Sequence, residues 1–284
     1  MTVAPAAALA FAVAAAVSYG AGSVTQALAA RRSTGTLHAL RHPLYIAGLG
    51  CDLLAWLASL VALRTLAVYQ VQAVLAGSLA VTVLAARLLL AARIRRRDGA
   101  AVAVTVLALT VLALSAGPQD QVRPSAMVRF GLVAATVLVA VCGWIAARAG
   151  SPGASAALAG LAFGGAALCA RALPLSAPAM RDVPAVLGAL AAEPLTWALA
   201  GFGVTGMLLY AHALQHGQVG PVTAVLWIVE VIAPSAIGIA VLHDTVRAGW
   251  APYAVVAVLA TTAAAAVLAT APATAAATAH TADG

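Results

Sequence analysis

The stretch Gly220–Leu242, GPVTAVLWIVEVIAPSAIGIAVL, decides the fold of this chain. An apolar helix of this length can cross the roughly 30 Å hydrocarbon core of a bilayer. One carboxylate, Glu230, stands at its centre. Because an ionised side chain at that depth is costly unless it faces protein or water, we predict that Glu230 faces the interior of a helix bundle.

The residues around Glu230 strengthen this prediction. Thr223, Trp227, Glu230 and Pro234 recur at helical spacing and therefore share one face of the helix. We expect that face to line a cavity. The alternative is that a protonated Glu230 only holds neighbouring helices together.

The composition extends the membrane assignment to the whole chain. Of 284 residues, 64% are hydrophobic and 8% charged, and the mean hydropathy is +1.03. Soluble domains carry about 25% charged residues, so we predict one all-α polytopic membrane bundle. The three cysteines lie far apart in separate apolar segments, which indicates neither a disulfide framework nor a metal site.

Nine apolar segments follow one another along the chain. We predict a first unit at 1–116 with four helices, a polar linker at 117–127, a second unit at 128–270 with five helices and a disordered tail at 271–284. The predicted spans are Val3–Ala30, Pro43–Leu63, Leu66–Leu90, Ala100–Ala116, Val128–Arg148, Ser155–Arg171, Pro194–Leu214, Gly220–Leu242 and Ala251–Thr270.

The basic residues predict how the bundle is inserted. All fifteen are Arg, and they concentrate in alternate loops, above all at Ala92–Asp98. Positive loops stay in the cytoplasm, so the N-terminus is expected outside and the C-terminus inside. Orientation explains the net charge of +7 better than nucleic-acid binding does. The Ala- and Arg-rich, Lys-free composition favours a bacterial inner (plasma) membrane.

The two halves carry a weak repeat. At an offset of 151 residues, 62–110 aligns with 213–261 without a gap, and 13 of 49 pairs are identical. Both copies contain a very short turn, a long helix and a brief Arg-containing loop. The predicted orientation makes the copies run oppositely through the bilayer, and inverted repeats are typical of alternating-access transporters.

The segment VALRTLAVYQVQAVLAGSLAVTVLAARLLLAARIRRRD, Val61–Asp98, resembles the drug/metabolite transporter superfamily, and Tyr210–Trp250 is similar in the same way. The G-E-R-L-type loop of that superfamily is replaced by Ala91, Ala92 and Arg93 here. Nine spans with an outside N-terminus also resemble its NIPA-type magnesium-transporter branch. The resemblance implies a carrier without a nucleotide-driven motor.

Carrier chemistry needs polar groups at mid-membrane depth, and Glu230 and Asp52 are the two carboxylates expected there. A carboxyl group held away from water favours its neutral form, so Glu230 could alternate between proton and substrate with Asp52 in support. The other candidate substrate- or proton-binding residues are polar or aromatic side chains on predicted inner faces: Gln72, Tyr69, Thr223, Trp227, Trp56, Tyr19 and Gln26. The aromatic rings would suit an organic cation. For Asp52 the alternative is a structural partner within the bundle.

We therefore expect a secondary transporter of a small solute, coupled to protons. The alternatives are a NIPA-like carrier of magnesium or another divalent cation, and a non-transporting membrane scaffold. An enzyme is not expected: His212 and His216 have metal-ligand spacing but lie at a helix end without a Glu between them. No cofactor and no resident metal are expected. The expected partners are a small-molecule or cation substrate and the lipid bilayer, with no nucleic acid, and a homodimer stays open.

Overall fold

The computed structural model describes residues 4–32, 41–90, 95–115, 117, 124–173, 183–272 and 274. These ranges contain eleven helices. They are α1 Pro5–Arg31, α2 Pro43–Leu63, α3 Val68–Ala76, α4 Ser78–Leu90, α5 Arg96–Leu114, α6 Ala126–Arg148, α7 Pro152–Ala172, α8 Val183–Ala192, α9 Pro194–His216, α10 Val219–Val241 and α11 Ala251–Ala269.

Nine helical segments within the described ranges are long and apolar enough to cross a membrane. This confirms the predicted all-α polytopic bundle. Two details differ from the sequence prediction. The third span is interrupted at Gly77, where α3 ends and α4 begins, and the connection after α7 contains the short helix α8. Most of the predicted linker and tail lie outside the described residues.

Three spanning helices begin with the same N-terminal capping arrangement. Pro occupies the first turn of α2, α7 and α9, where its missing N–H costs nothing and its fixed φ suits a helix. The residue before each Pro caps the helix with its side chain. His42 accepts a hydrogen bond from Leu44 N, Ser151 from Ala154 N, and Glu193 from Leu195 N.

Small residues let the helices approach closely. A Cβ added to Gly160 of α7 would lie 2.6 Å from the Leu226 carbonyl oxygen and 3.0 Å from the Glu230 nitrogen of α10. One turn later, a Cβ on Gly164 would lie 2.8 Å from Pro234 Cγ. In lipid the hydrophobic effect does not drive helices together, so they associate through close packing at small residues. These glycines therefore fix the side of α10 that faces α7.

The helix bounds follow the offset seen in the sequence. Adding 151 to Val68 and Leu90, the limits of α3 and α4, gives Val219 and Val241, the limits of α10. The same offset takes the start of α2, Pro43, to the start of α9, Pro194. Packing follows a related pattern: α1 packs on α2 and α4, α7 packs on α9 and α10, and α5 packs on α11. These contacts have counterparts in both halves, whereas α10 packs on α11 more extensively than α3 and α4 pack on α5.

The two ends of the bundle differ in charge. The N-terminus of α3, the C-termini of α5, α7 and α10 and the start of α11 meet at one end, where Arg64, Arg171, Asp244 and Arg247 lie; we call it the Asp244 end. The opposite end holds the N-termini of α2 and α5 with the Arg95–Arg97 run, and we call it the basic end.

The contact between Gly160 and α10 gives a first testable prediction. Gly160→Ala should lower the free energy of unfolding by about 1–3 kcal/mol, because the added methyl group meets backbone atoms that cannot turn aside. The measurement is unfolding of the detergent-solubilised protein in a sodium dodecyl sulfate titration, followed by tryptophan fluorescence.

Gly131→Ala is the matched control, since nothing lies within 4 Å of a Cβ at Gly131 in the second turn of α6. This variant should be as stable as the wild type or more stable by up to about 1 kcal/mol. Equal stability of the Gly160 and Gly131 variants would contradict the packing of α7 on α10.

Candidate functional site

Glu230 points to the inside of the bundle. Ile228 and Ile232 of the same helix lie on its outer surface, 38% and 39% exposed. Successive residues turn by about 100° around a helix, so a side chain two residues from both isoleucines points the opposite way. Glu230 is nevertheless only partly buried. Its accessible surface therefore lies on the side of α10 that faces other helices.

That side of α10 also lies near α1. The two helices make no extended contact with each other in the described part of the chain, although both pack on α3. Tyr19 of α1 is within electrostatic range of both Glu230 and Asp52. Tyr19 is therefore near both carboxylates, and we call the region around it between α1 and α10 the α1–α10 crevice.

Tyr210 of α9 joins the same site from the other side. Its hydroxyl shares a 2.8 Å hydrogen bond with the Thr223 hydroxyl, two turns before Glu230 on α10. Tyr210 is also within electrostatic range of Glu230. The structure places Tyr210 inside the bundle against α10.

Asp52 has a direct partner. Gln26 Nε2 of α1 donates a 2.6 Å hydrogen bond to Asp52 Oδ2 of α2. Gly22 and Gly48 bring the two helices together here, since a Cβ on Gly22 would lie 2.5 Å from Asp52 Oδ1. Asp52 therefore joins α1 to α2 through this hydrogen bond.

Trp227 packs beside the α1–α10 crevice. Trp227, one turn before Glu230, packs against three separate groups of buried apolar residues drawn from both halves. Tyr19, Ser23 and Gln26 of α1 are all partly exposed. Two wider grooves, of about 410 and 440 Å³, lie on the outer surface between α6 and α9 and are lined mainly by apolar residues. They are remote from the carboxylates, so we place the site at the crevice.

Two candidate residues lie away from Glu230, and a third lies about one helical turn from it. Trp56 is 40% exposed on the outer surface of α2. Tyr69 is buried against α5 and α11 rather than beside Glu230. Gln72 is buried in α3 with no hydrogen-bond partner for its Oε1. Since Gly238 of α10 packs against Val68 of α3 and the helices are antiparallel, Gln72 lies at about the level of Pro234, one turn from Glu230.

Sequence reasoning gave no role to Arg171 and Asp244, which form a buried ion pair at the Asp244 end. Neither residue lies in a recognisable motif, and no sequence signal could have paired them. Within the described ranges, no group of three or more His, Cys, Asp or Glu side chains is placed to hold a metal ion. His212 and His216 stack with ring centroids 4.2 Å apart.

Comparison with protein-family models, with curated proteins and with solved structures finds no match to this chain. The arrangement of Glu230, Tyr19, Trp227 and Tyr210 must therefore be interpreted from its own geometry.

The Gln26–Asp52 contact yields the second prediction. Gln26→Leu should lower the free energy of unfolding by about 1–3 kcal/mol, because it leaves a carboxyl group inside the bundle without its donor. Replacing both partners, as Gln26→Leu with Asp52→Leu, should restore much of that loss, since no polar group then stays unpaired.

The control for this pair is Ser23→Ala on the same helix, whose hydroxyl bonds only to the Tyr19 carbonyl of its own helix. Its unfolding free energy, measured in the same detergent titration, should stay within about 0.5 kcal/mol of the wild type. The interpretation fails if the double variant is less stable than Gln26→Leu alone.

Proposed function

We propose that this protein is a secondary transporter that moves a small solute across a membrane by alternating access, with Glu230 as the group that binds proton and solute in turn. The observation that carries the proposal is the partly exposed carboxylate at the middle of α10, which points away from the lipid towards the crevice. Ionisable residues in such positions mark transport pathways by default.

The repeat supports the mechanism. Helices with matching bounds and related packing occur in both halves, and a structure built from two similar units can exchange their conformations. Such an exchange closes one end of a central site while it opens the other. This relation, together with the resemblance of Val61–Asp98 to the drug/metabolite transporter superfamily, favours a carrier over a membrane scaffold.

The side chains near Glu230 favour an organic cation as solute. One negative charge is accompanied by the rings of Tyr19, Trp227 and Tyr210, whose faces attract cations. Because one carboxylate cannot hold both a proton and the charge of a cation, the two would compete for it. Competition of this kind couples the export of the cation to the entry of a proton.

The charge of the two ends supports an orientation. The basic end carries the Arg95–Arg97 run together with Arg32 and Arg41, and short loops rich in Arg stay in the cytoplasm. The crevice residues Ser23 and Gln26 lie in the half of α1 nearest that end. We place the basic end in the cytoplasm of a bacterial cell and the N-terminus outside.

The third prediction concerns transport by Glu230. In proteoliposomes loaded with the pH indicator pyranine, a gradient of benzyltrimethylammonium, an aromatic organic cation, should drive proton movement in the opposite direction. Glu230→Gln should reduce that movement at least about tenfold, because the group that exchanges the two ions is lost. Unchanged proton movement in Glu230→Gln would rule out the role of the carboxylate.

Glu193→Gln serves as the matched control, since Glu193 pairs with Arg129 at a helix end, 2.5 Å from its Nη2, far from the crevice. It should retain transport. A parallel gradient of MgCl₂, read with a magnesium indicator, tests the alternative. A Glu230-dependent magnesium flux without an organic-cation response would replace the proposal by a divalent-cation carrier, and no flux with either solute would favour a scaffold.

A further inference from the structure

A buried ion pair holds the Asp244 end together. Arg171, at the C-terminus of α7, donates from Nε to Asp244 Oδ1 over 3.2 Å. The two side chains are 2% and 0% exposed. Asp244 follows α10 by three residues and folds back onto it, with its backbone N–H donating to the Gly238 carbonyl. Charges so fully buried are stable only while they stay paired.

The pair also connects the two halves of the chain. Asp244 Oδ2 accepts a 2.7 Å hydrogen bond from the backbone N–H of Val68, the first residue of α3. Arg171 Nη1 donates to the Arg64 carbonyl, just before α3. Both contacts join residues of the first unit to residues of the second. A negative charge at the N-terminus of α3 is further favoured by the helix dipole.

The loop after Asp244 also joins the two halves. Arg247 N donates to the carbonyl of Ser115 at the end of α5, a third hydrogen bond between the halves. Gly238 leaves space for the arrangement, because a Cβ there would lie 2.9 Å from Asp244 Oδ2 and 3.2 Å from Val68 Cβ. At this end the halves are therefore held by polar contacts as well as by packing.

The two ends of the bundle thus differ in how exposed their residues are. The crevice residues nearest the basic end are partly exposed, whereas Val68, Arg171 and Asp244 at the Asp244 end are buried. We propose that Arg171 and Asp244 form the gate that closes the Asp244 end, and that this end opens when their contacts with Val68 and Arg64 separate. This inference rests on the proposed transport function, in which the two halves move against each other.

Cys169 provides a built-in reporter for opening. It lies two residues before Arg171 on α7, is fully buried and packs in the same core as Leu63 and Leu66. Cys51→Ala with Cys142→Ala leaves Cys169 as the sole thiol. The experiment measures the rate at which a charged, water-soluble maleimide labels Cys169 in this background, with the protein in lipid nanodiscs.

Asp244→Asn should raise the labelling rate about tenfold or more. The variant loses the ion pair that favours the closed conformation, so a larger fraction of the molecules is open. The control is Glu193→Gln, which breaks the Arg129–Glu193 ion pair. That pair joins two helices of the same half, so the labelling rate should not change. Equal labelling rates in Asp244→Asn and Glu193→Gln would overturn the gate.

Gly238→Ala tests the gate without altering any charge, since the added methyl group pushes against Asp244 and Val68. It should also raise the labelling rate. If both Asp244→Asn and Gly238→Ala fail to fold while Glu193→Gln folds, the contact is a structural requirement and the proposal is wrong. The labelling needs no solute, so a loss of transport with a rapidly labelled Cys169 would leave the gate standing while the transport assignment fails.

Discussion

The carboxylate of Glu230, placed halfway along an otherwise apolar helix, constrains the rest of this bundle. Its charge cannot face lipid without a large penalty, so one side of α10 must be covered by other helices. The glycines of α7 meet that requirement, because Gly160 and Gly164 allow the backbone of α7 to press against Leu226 and Pro234. The outer isoleucines are then left to the membrane.

The same constraint separates the roles of the two mid-span acids. Asp52 has an amide donor, Gln26, from the neighbouring helix, so its carboxyl group contributes to the α1–α2 contact. Glu230 instead lies within electrostatic range of Tyr19 and Tyr210. A polar group with a fixed partner stabilises a structure, whereas one facing accessible space can exchange partners. We propose a functional role for Glu230 because its partners differ from those of Asp52, and not because of its depth alone.

The sequence alone predicts those features of the fold that depend on periodic patterns, and little else. Hydropathy and helix length predict the nine spans, and the spacing of Thr223, Trp227 and Glu230 predicts their shared face. The offset of 151 residues also locates helix limits such as Val219. The interruption at Gly77 and the helix α8 were missed, because each depends on packing or on a local sequence without a clear apolar period.

The pairwise contacts could not be predicted. Arg171 and Asp244 are 73 residues apart, and nothing in either local sequence requires them to meet. Trp56 shares a helix face with Asp52 in the sequence, yet it lies on the outer surface because the face of α2 that α1 covers is narrower than the pattern implies. Long-range partners are set by how helices rotate against one another, which hydropathy reports only coarsely.

Water access to position 230 tests the central claim most directly. In a background without the three native cysteines, Glu230→Cys and Ile232→Cys can be labelled with a charged maleimide in lipid nanodiscs. We expect the cysteine at position 230 to react with the aqueous reagent. The cysteine at position 232, which faces the hydrocarbon, should not react. A cysteine at position 230 as unreactive as that at 232 would contradict an accessible crevice at Glu230.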